Sequence, residues 1–177
     1  MAARTGDTGL PNGLAIRPGR PEDSARCREI AVAAWEPIHA VRRRLLGDRV
    51  YERLHPDWRA AKADAVGRVF ETRPEWTRVA VCPDGDGREV VAGFVTFHLQ
   101  AAEGIGEIGN NAVDPGWTRR GIATALYRHV LDVFREAGMR VALVSTGLDE
   151  GHAPALSAYR KVGFDREQPS VVLYQEL

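Results

Sequence analysis

Cysteine is scarce in this chain: Cys27 and Cys82 are the only two, far apart and outside any metal-ligand spacing. That excludes a disulfide scaffold and a cysteine zinc site, and leaves two buried small hydrophobes in a reducing compartment as the expectation. Charge of one sign is also missing. The 24 Lys and Arg balance 24 Asp and Glu with no acidic or basic block, so the footprint of a nucleic-acid binder is absent. No apolar run reaches the length of a membrane span, and the start, Met1-Ala-Ala-Arg-Thr-Gly-Asp7, has no apolar signal core. A cytoplasmic protein with neither membrane nor nucleic acid as partner is expected. The histidines at 39, 55, 98, 129 and 152 have no spacing that suits a metal. The Gly-x-x-x-x-Gly-Lys-Ser/Thr loop of nucleotide-phosphate enzymes is absent as well.

The 177 residues contain no internal repeat and suffice for one domain with a sizeable core. Residues 1–12 are rich in Gly, Thr and charge and read as a tail before a single domain over 13–177. Leu14 to Arg17 is a short strand candidate, and Pro21-Glu-Asp23 opens a helix. From Trp35 to about Phe70 the pattern is helical but broken near Gly47-Asp48 and at His55-Pro56, which predicts two or three helices. Strands follow at Trp76 to Val81, Val90 to Leu99 and Glu107 to Val113, joined by the turn clusters Pro83 to Gly87 and Glu103 to Gly106. They are antiparallel neighbours. A helix from Arg119 to Ala137 leads to Arg140 to Thr146, apolar on both faces and predicted to be a central strand parallel to Glu107–Val113. A helix from about Ala153 to Val162 and a strand at Ser170 to Glu176 complete the chain.

The stretch from Asn111 to Leu126 reads as strand, tight loop and helix start. Asp114-Pro115-Gly116 ends the strand, and the unpartnered N–H groups of the helix start make an anion site. Gly121 and Ala123 let a ligand approach the main chain, and Arg119 and Arg120 add full charges. Pro115 followed by Arg119-Arg120-Gly121-Ile122-Ala123 resembles the pyrophosphate-binding motif of the GNAT superfamily of N-acetyltransferases, usually [Gln/Arg]-x-x-Gly-x-[Gly/Ala]. Thr118 stands where Gln or Arg is usual. His152-Ala-Pro-Ala-Leu-Ser-Ala-Tyr159-Arg-Lys-Val-Gly-Phe164 is similar to the family's Asn-x-x-Ala-x-x-x-Tyr-x-x-x-Gly-Phe pattern, with His152 in place of Asn.

The resemblance covers nearly the whole chain from about residue 14. It implies an α/β (α+β) fold of order β-α-α-β-β-β-α-β-α-β, with a mixed central sheet of about six to seven strands flanked by helices on both faces. The function implied is N-acetyl transfer from acetyl-CoA, without a metal, to a small-molecule or peptide amine by direct transfer. Thr118, Arg119, Arg120, Gly121, Ile122, Ala123 and Thr124 would hold the cofactor, with backbone N–H groups near Ala112 and Val113 where the parallel strands splay apart. His152 would take the place of Asn on the pantetheine arm. Tyr159 looks like the general acid and Glu107 like the general base, Glu103 being a weaker alternative. Strand alternation places residues 107, 109, 111 and 113 on one face. Asn110 and Asn111 either line the same gap or finish a polar strand end. Trp35, Trp58 and Trp76 are core or rim aromatics that could wall an acceptor pocket, and Arg42-Arg43-Arg44 is either a solvated face or an anion site. A non-catalytic acyl-CoA sensor of the same fold stays open, as do the acceptor and a homodimer.

Overall fold

The computed structural model describes residues 13–177; the tail expected over residues 1–12 lies outside them. The element order is β1 (Ala15–Pro18), α1 (Ser24–Leu46), α2 (Asp48–Leu54), α3 (Trp58–Thr72), β2 (Thr77–Pro83), β3 (Glu89–Gln100), β4 (Ile105–Val113), α4 (Ile122–Glu136), β5 (Val141–Val144) and α5 (Ala153–Lys161). The strands form one sheet in the order β1-β2-β3-β4-β5, antiparallel except for the parallel β4–β5 pair.

Local sequence sets the boundaries. Gly47, at φ 73°, separates α1 from α2, and His55-Pro56 separates α2 from α3, whose first turn is capped when Asp57 accepts from the Ala60 N–H at 3.2 Å. In the β2–β3 hairpin the Asp84 carboxylate accepts from the N–H groups of Asp86 and Arg88. Each face of the sheet has its own core. On one face Val95, Phe97 and Ile108 pack with Ile122, Leu126, Val130 and Phe134 of α4, joined by Tyr159 of α5. On the other, Val79, Val81, Phe94 and Ala112 pack with Cys27, Ile30 and Ala31 of α1 and Val66 and Phe70 of α3.

A bulge in β4 overturns one expectation. Val95 is opposite Asn111 and Phe97 is opposite Ile108, so two residues of β4, Gly109 and Asn110, face the single Thr96. Side-chain direction therefore shifts by one within the strand. Ile108 and Asn111 both face α4, whereas Glu107 and Ala112 face the α1/α3 side. Residues 107 and 111 do not share a face.

Two further expectations are corrected at the end of the chain. Residues 170–176 form no strand, so the sheet has five strands rather than six to seven. A strand exists only by pairing, and this segment has no partner: Val171, Val172 and Leu173 are all well exposed. Arg49 pairs with Glu176 near its end. Consequently β5 is an edge strand, not a central one, with Val141 and Leu143 exposed. Among the described residues no helix is long and apolar enough to cross a membrane.

Gly106 has no room for a side chain, since a Cβ there would meet the Phe134 ring atoms at 2.5 Å. Gly106→Ala is expected to lower unfolding stability by about 1–3 kcal/mol through overpacking, measured by urea denaturation.

Candidate active site

The β4–β5 ladder runs only from Ile105↔Val141 to Ile108↔Val144. Beyond Ile108, β4 continues to Val113 with no strand on that side, which leaves a gap beside residues 109–113, including Ala112 and Val113. At the end of β4 the chain makes its loop. Asp114 accepts from Gly116 N at 2.7 Å, and its charge is taken up by Arg26. Thr118 donates to the Pro115 carbonyl at 3.1 Å, so this hydroxyl braces the loop.

Arg119, at φ 61°, is the one non-glycine residue with positive φ among those described, and Gly121 follows at φ 77°. Left-handed residues in a short loop curl successive N–H groups toward one concave side, a known anion cradle. The cost of such a conformation for an Arg, of order 1–3 kcal/mol, concentrates at functional sites. Gly121 is the N-cap of α4, and no side chain caps the N–H groups of Ile122, Ala123 and Thr124. Arg120 lies over the Trp117 ring at 4.7 Å, while Arg119 has no carboxylate partner among the described residues.

On the α4/α5 side of the gap, Asn111 is the hub of a buried network. Tyr127 donates to Asn111 Oδ1 at 2.6 Å, and Asn111 Nδ2 donates to Tyr159 Oη at 2.9 Å and to the Gly109 carbonyl at 3.0 Å. The carbonyl, an obligate acceptor, fixes which end of the amide carries the nitrogen. Tyr159 is stacked on Tyr127 at 4.6 Å and is only 4% exposed. Burial, above all, raises the pKa of both phenols. Tyr159 thus keeps its proton at neutral pH, and its oxygen accepts from Asn111 rather than donating within the network.

Glu107 lies on the other side of the sheet, where Gln100 donates to it at 3.3 Å. The bulge separates its carboxylate from Tyr159. His152, at the start of α5, is buried, 2.7 Å from an Asp149 oxygen and edge-on to Trp35 of α1. It joins α5 to α1. Both cysteines are free and buried, and burial pushes the Cys27 thiol up to about 12, which removes it as a nucleophile.

On the α1/α3 side lies a cleft of about 260 Å³. Trp35, His39 and Arg42 come from α1, His55 from the α2–α3 link, Trp58 and Lys62 from α3, and Asn110 from the bulge. Lys62 Nζ sits 3.2 Å from the Trp35 ring centroid and donates to Asn110 Oδ1 at 2.7 Å. Burial, with the Arg42 charge second, lowers its pKa to about 7. His39 stacks on Trp58 at 3.8 Å and meets the Tyr51 hydroxyl at 3.0 Å. Burial, then Arg42, pulls its pKa down to about 4, so it is neutral at pH 7. Trp35 and Trp58 therefore wall a cleft, whereas Trp76 stands elsewhere, against His98. Arg43 and Arg44 make surface ion pairs and only Arg42 enters the cleft.

Sequence reasoning missed Lys62 and Tyr127. Lys62 had a readable signal: it falls on the stripe Trp58, Lys62, Val66, Phe70 at helical spacing, a lysine where an apolar residue is due. Tyr127 had none, because its partner is set by the bulge. Among the described residues no cluster of His, Cys, Asp and Glu could hold a metal.

Comparison with known proteins bears on the family and the fold. Residues 47–164 match the model of the acetyltransferase (GNAT) family. L-amino acid N-acetyltransferase AaaT of Escherichia coli is 30% identical over 97 residues, 54% of this chain and 57% of that protein. Streptothricin acetyltransferase of Streptomyces lavendulae is 38% identical over 99 residues, 55% of this chain and 49% of that protein. The chain thus spans about half the length of the curated relatives it matches. Among solved structures, PaiA N-acetyltransferase of Thermoplasma acidophilum in complex with coenzyme A superposes with a TM-score of 0.66 at 17% identity, over 89% of this chain and 93% of that one. A GNAT family acetyltransferase of Brucella melitensis in complex with acetyl-CoA gives 0.54 at 22%, over 88% and 91%. At these identities the likeness concerns the fold.

The buried neutral His39 makes stability depend on pH. Its folded pKa of about 4 lies below the unfolded value near 6.5. As pH falls through that window the unfolded state binds the proton first, so stability present at neutral pH is drawn down between about 6.5 and 4. His55 and His129, also lowered by burial, act in the same direction. Thermal midpoints followed by circular dichroism are expected to drop from about pH 7 to about pH 4.5, and less steeply in His39→Phe, which also loses the Tyr51 bond at about 1 kcal/mol.

Proposed function

We propose that this chain, which belongs to the GNAT acetyltransferase family, is an N-acetyltransferase that moves an acetyl group from acetyl-CoA directly to a primary amine in a ternary complex. One observation carries the reading: at the end of β4, beside the gap left by β5, a left-handed basic loop and an uncapped helix start stand next to a buried, protonated phenol. Trp117 and Ala123 of the loop and helix pack against the core cluster that contains Tyr159.

The residues fit coenzyme A by their chemistry. The free N–H groups of Ile122, Ala123 and Thr124, with the N–H groups curled by Arg119 and Gly121, suit the oxygens of a pyrophosphate. Arg119 and Arg120 supply the charge. In this reading Thr118 stabilises the loop from within, and Ala112, Val113 and the open edge of β4 supply backbone groups to the pantetheine arm. His152, turned to Asp149 and Trp35, lines the meeting of α5 and α1.

Acetyl-CoA, when bound, supplies the acetyl group as an activated thioester. The acceptor amine must reach the carbonyl with its lone pair free, so its ammonium proton goes to a base. Glu107, on the acceptor face of β4, takes it through water. As the new C–N bond forms and the C–S bond breaks, the departing thiolate needs a proton, which Tyr159 gives from an oxygen oriented by Asn111. No covalent acyl-enzyme is required.

Tyr159→Phe keeps the stack on Tyr127 and removes only the hydroxyl. Turnover, followed as free thiol released from acetyl-CoA over a panel of amines, should fall about 10- to 1000-fold with cofactor affinity nearly intact. An equally active variant would sink the assignment, and binding without thiol release in wild type would instead assign a non-catalytic acyl-CoA sensor. Gly121→Glu should abolish acetyl-CoA binding by calorimetry. Since position 121 is left-handed, Gly121→Asn, which tolerates that conformation, is the backbone control and should still bind.

A further inference from the structure

The cleft on the α1/α3 side holds two cations and no ion pair. Three arginines on the neighbouring helices are paired: Arg43 holds Asp48 and Glu52, Arg44 holds Glu150 and Arg59 holds Glu36. Arg42 and Lys62, which line the cleft, have no carboxylate partner among the described residues, and both lie against the face of Trp35, at 5.4 and 3.2 Å from its centroid. The one acid in the lining, Asp57, is engaged as the N-cap of α3. The histidines in the lining, 39 and 55, are held neutral by burial.

Two half-buried cations brought together over one ring repel each other, and an anion between them removes that cost. We propose that this cleft selects an acceptor amine that carries a carboxylate, held by Arg42 and Lys62, with its apolar or flat portion against Trp35 and Trp58. The proposal rests on the acetyltransferase reading above. Its size points the same way: about 260 Å³ lies below the ~300–1,000 Å³ typical of sites for drug-sized ligands. A small metabolite fits this space. Polyamines and aminoglycosides, whose charges are positive, meet repulsion from the same two side chains.

The cleft also touches β4, the strand that positions the proposed acid. Lys62 is bonded to Asn110, and the next residue, Asn111, holds Tyr159 from the opposite side of the sheet. A substrate anchored at Lys62 is thereby fixed relative to β4, where its amine has to meet the thioester. Lys62 faces Arg42 and His39 from α1, His55 and Asp57 from the α2–α3 link and Asn110 from β4; the one carboxylate among these, Asp57, accepts from the Ala60 N–H and makes no ion pair with Lys62. With a pKa lowered to about 7, it pairs with a carboxylate only in its protonated form. Binding should take up a proton at neutral pH and weaken as pH rises above about 7.

The experiment measures kcat/KM by thiol release for amines in pairs that differ by one carboxylate, L-phenylalanine with phenethylamine, L-tryptophan with tryptamine and β-alanine with ethylamine, plus spermidine. Wild type should favour the carboxylated member by about 10- to 100-fold in at least one pair, the range of one charge-assisted hydrogen bond. In Arg42→Gln and Lys62→Gln that ratio should collapse toward unity. KM for the favoured substrate should rise above about pH 7 in wild type and stay flat in Lys62→Gln. Preference for the decarboxylated member in every pair, preference for spermidine, or variants that leave the ratio unchanged would overturn the proposal. Should no amine release thiol, acetyl transfer to amines fails as the function, and the cleft is then judged by calorimetry with N-acetyl-L-phenylalanine and N-acetylphenethylamine. Arg42-dependent preference for the carboxylate upholds the anion site, and equal or absent binding of the two removes it.

Discussion

The bulge at Gly109-Asn110 is the constraint on which the rest of the site depends. In a regular strand, neighbouring residues two apart share a face, and residues 107 to 113 would divide into two fixed sets. One extra residue opposite Thr96 breaks that rule. It sends Asn110 to Lys62 on one side of the sheet and Asn111 to Tyr127 and Tyr159 on the other. It also leaves a cost behind, since the Thr96 hydroxyl, where a Cβ on Gly109 would come within 2.8 Å, is buried with no partner among the described residues. An unsatisfied buried hydroxyl of about 1–3 kcal/mol persists because the strand gains something by it. In the proposed reading the gain is a single strand segment that serves a proton donor on one face and an acceptor cleft on the other.

The short β4–β5 ladder does the complementary work. Four registered pairs hold the strands together, and then β5 ends while β4 goes on. The backbone of residues 109–113 is left open toward the gap, the condition for a ligand to lie along a strand edge without displacing a neighbour. α4 follows from that end through the loop at 114–121, and its first turn has no side-chain cap. The open strand edge and the proposed cofactor cradle lie on either side of one chain reversal at Asp114-Pro115-Gly116.

Much of this was legible in the sequence where local chemistry decides. The helix breaks at Gly47 and His55-Pro56, the Asp84 turn, the basic character of residues 118–124 and the fold family all follow from residues close in the chain. What escaped depends on pairing between distant segments. Alternation placed Glu107 and Asn111 on one face because a bulge is invisible until its partner strand is known. The segment Ser170-Val-Val-Leu-Tyr174 has strand-forming residues, but propensity without a partner edge makes no strand. Arg140 to Thr146 reads as doubly buried by composition, while its final position is the sheet edge. Lys62 lay in plain view on an apolar stripe, and only its depressed pKa and its bond to Asn110 turn a misplaced charge into a site.

The overall charge illustrates how a sum can mislead about a site. Twenty-four basic and twenty-four acidic residues cancel, which argues against a polyanion partner at the level of the whole surface. The cancellation is not uniform. Exposed pairs such as Arg43–Asp48, Arg44–Glu150, Arg59–Glu36 and Arg160–Glu167 each contribute only ~0–1 kcal/mol to stability, yet they remove charge from the rim. Arg26 does the same for Asp114 beside the loop. Among the basic residues that make no ion pair within the described residues are Arg119 and Arg120 at the helix start and Arg42 with Lys62 in the cleft. A neutral protein can thus present, as proposed, two positive concavities to the two sides of β4, one for a phosphate and one for a carboxylate. The surface ion pairs add little to holding the fold together; in the proposed reading Arg119 with Arg120, and Arg42 with Lys62, matter because each set lines a concavity where a small anion meets charge that no ion pair takes up.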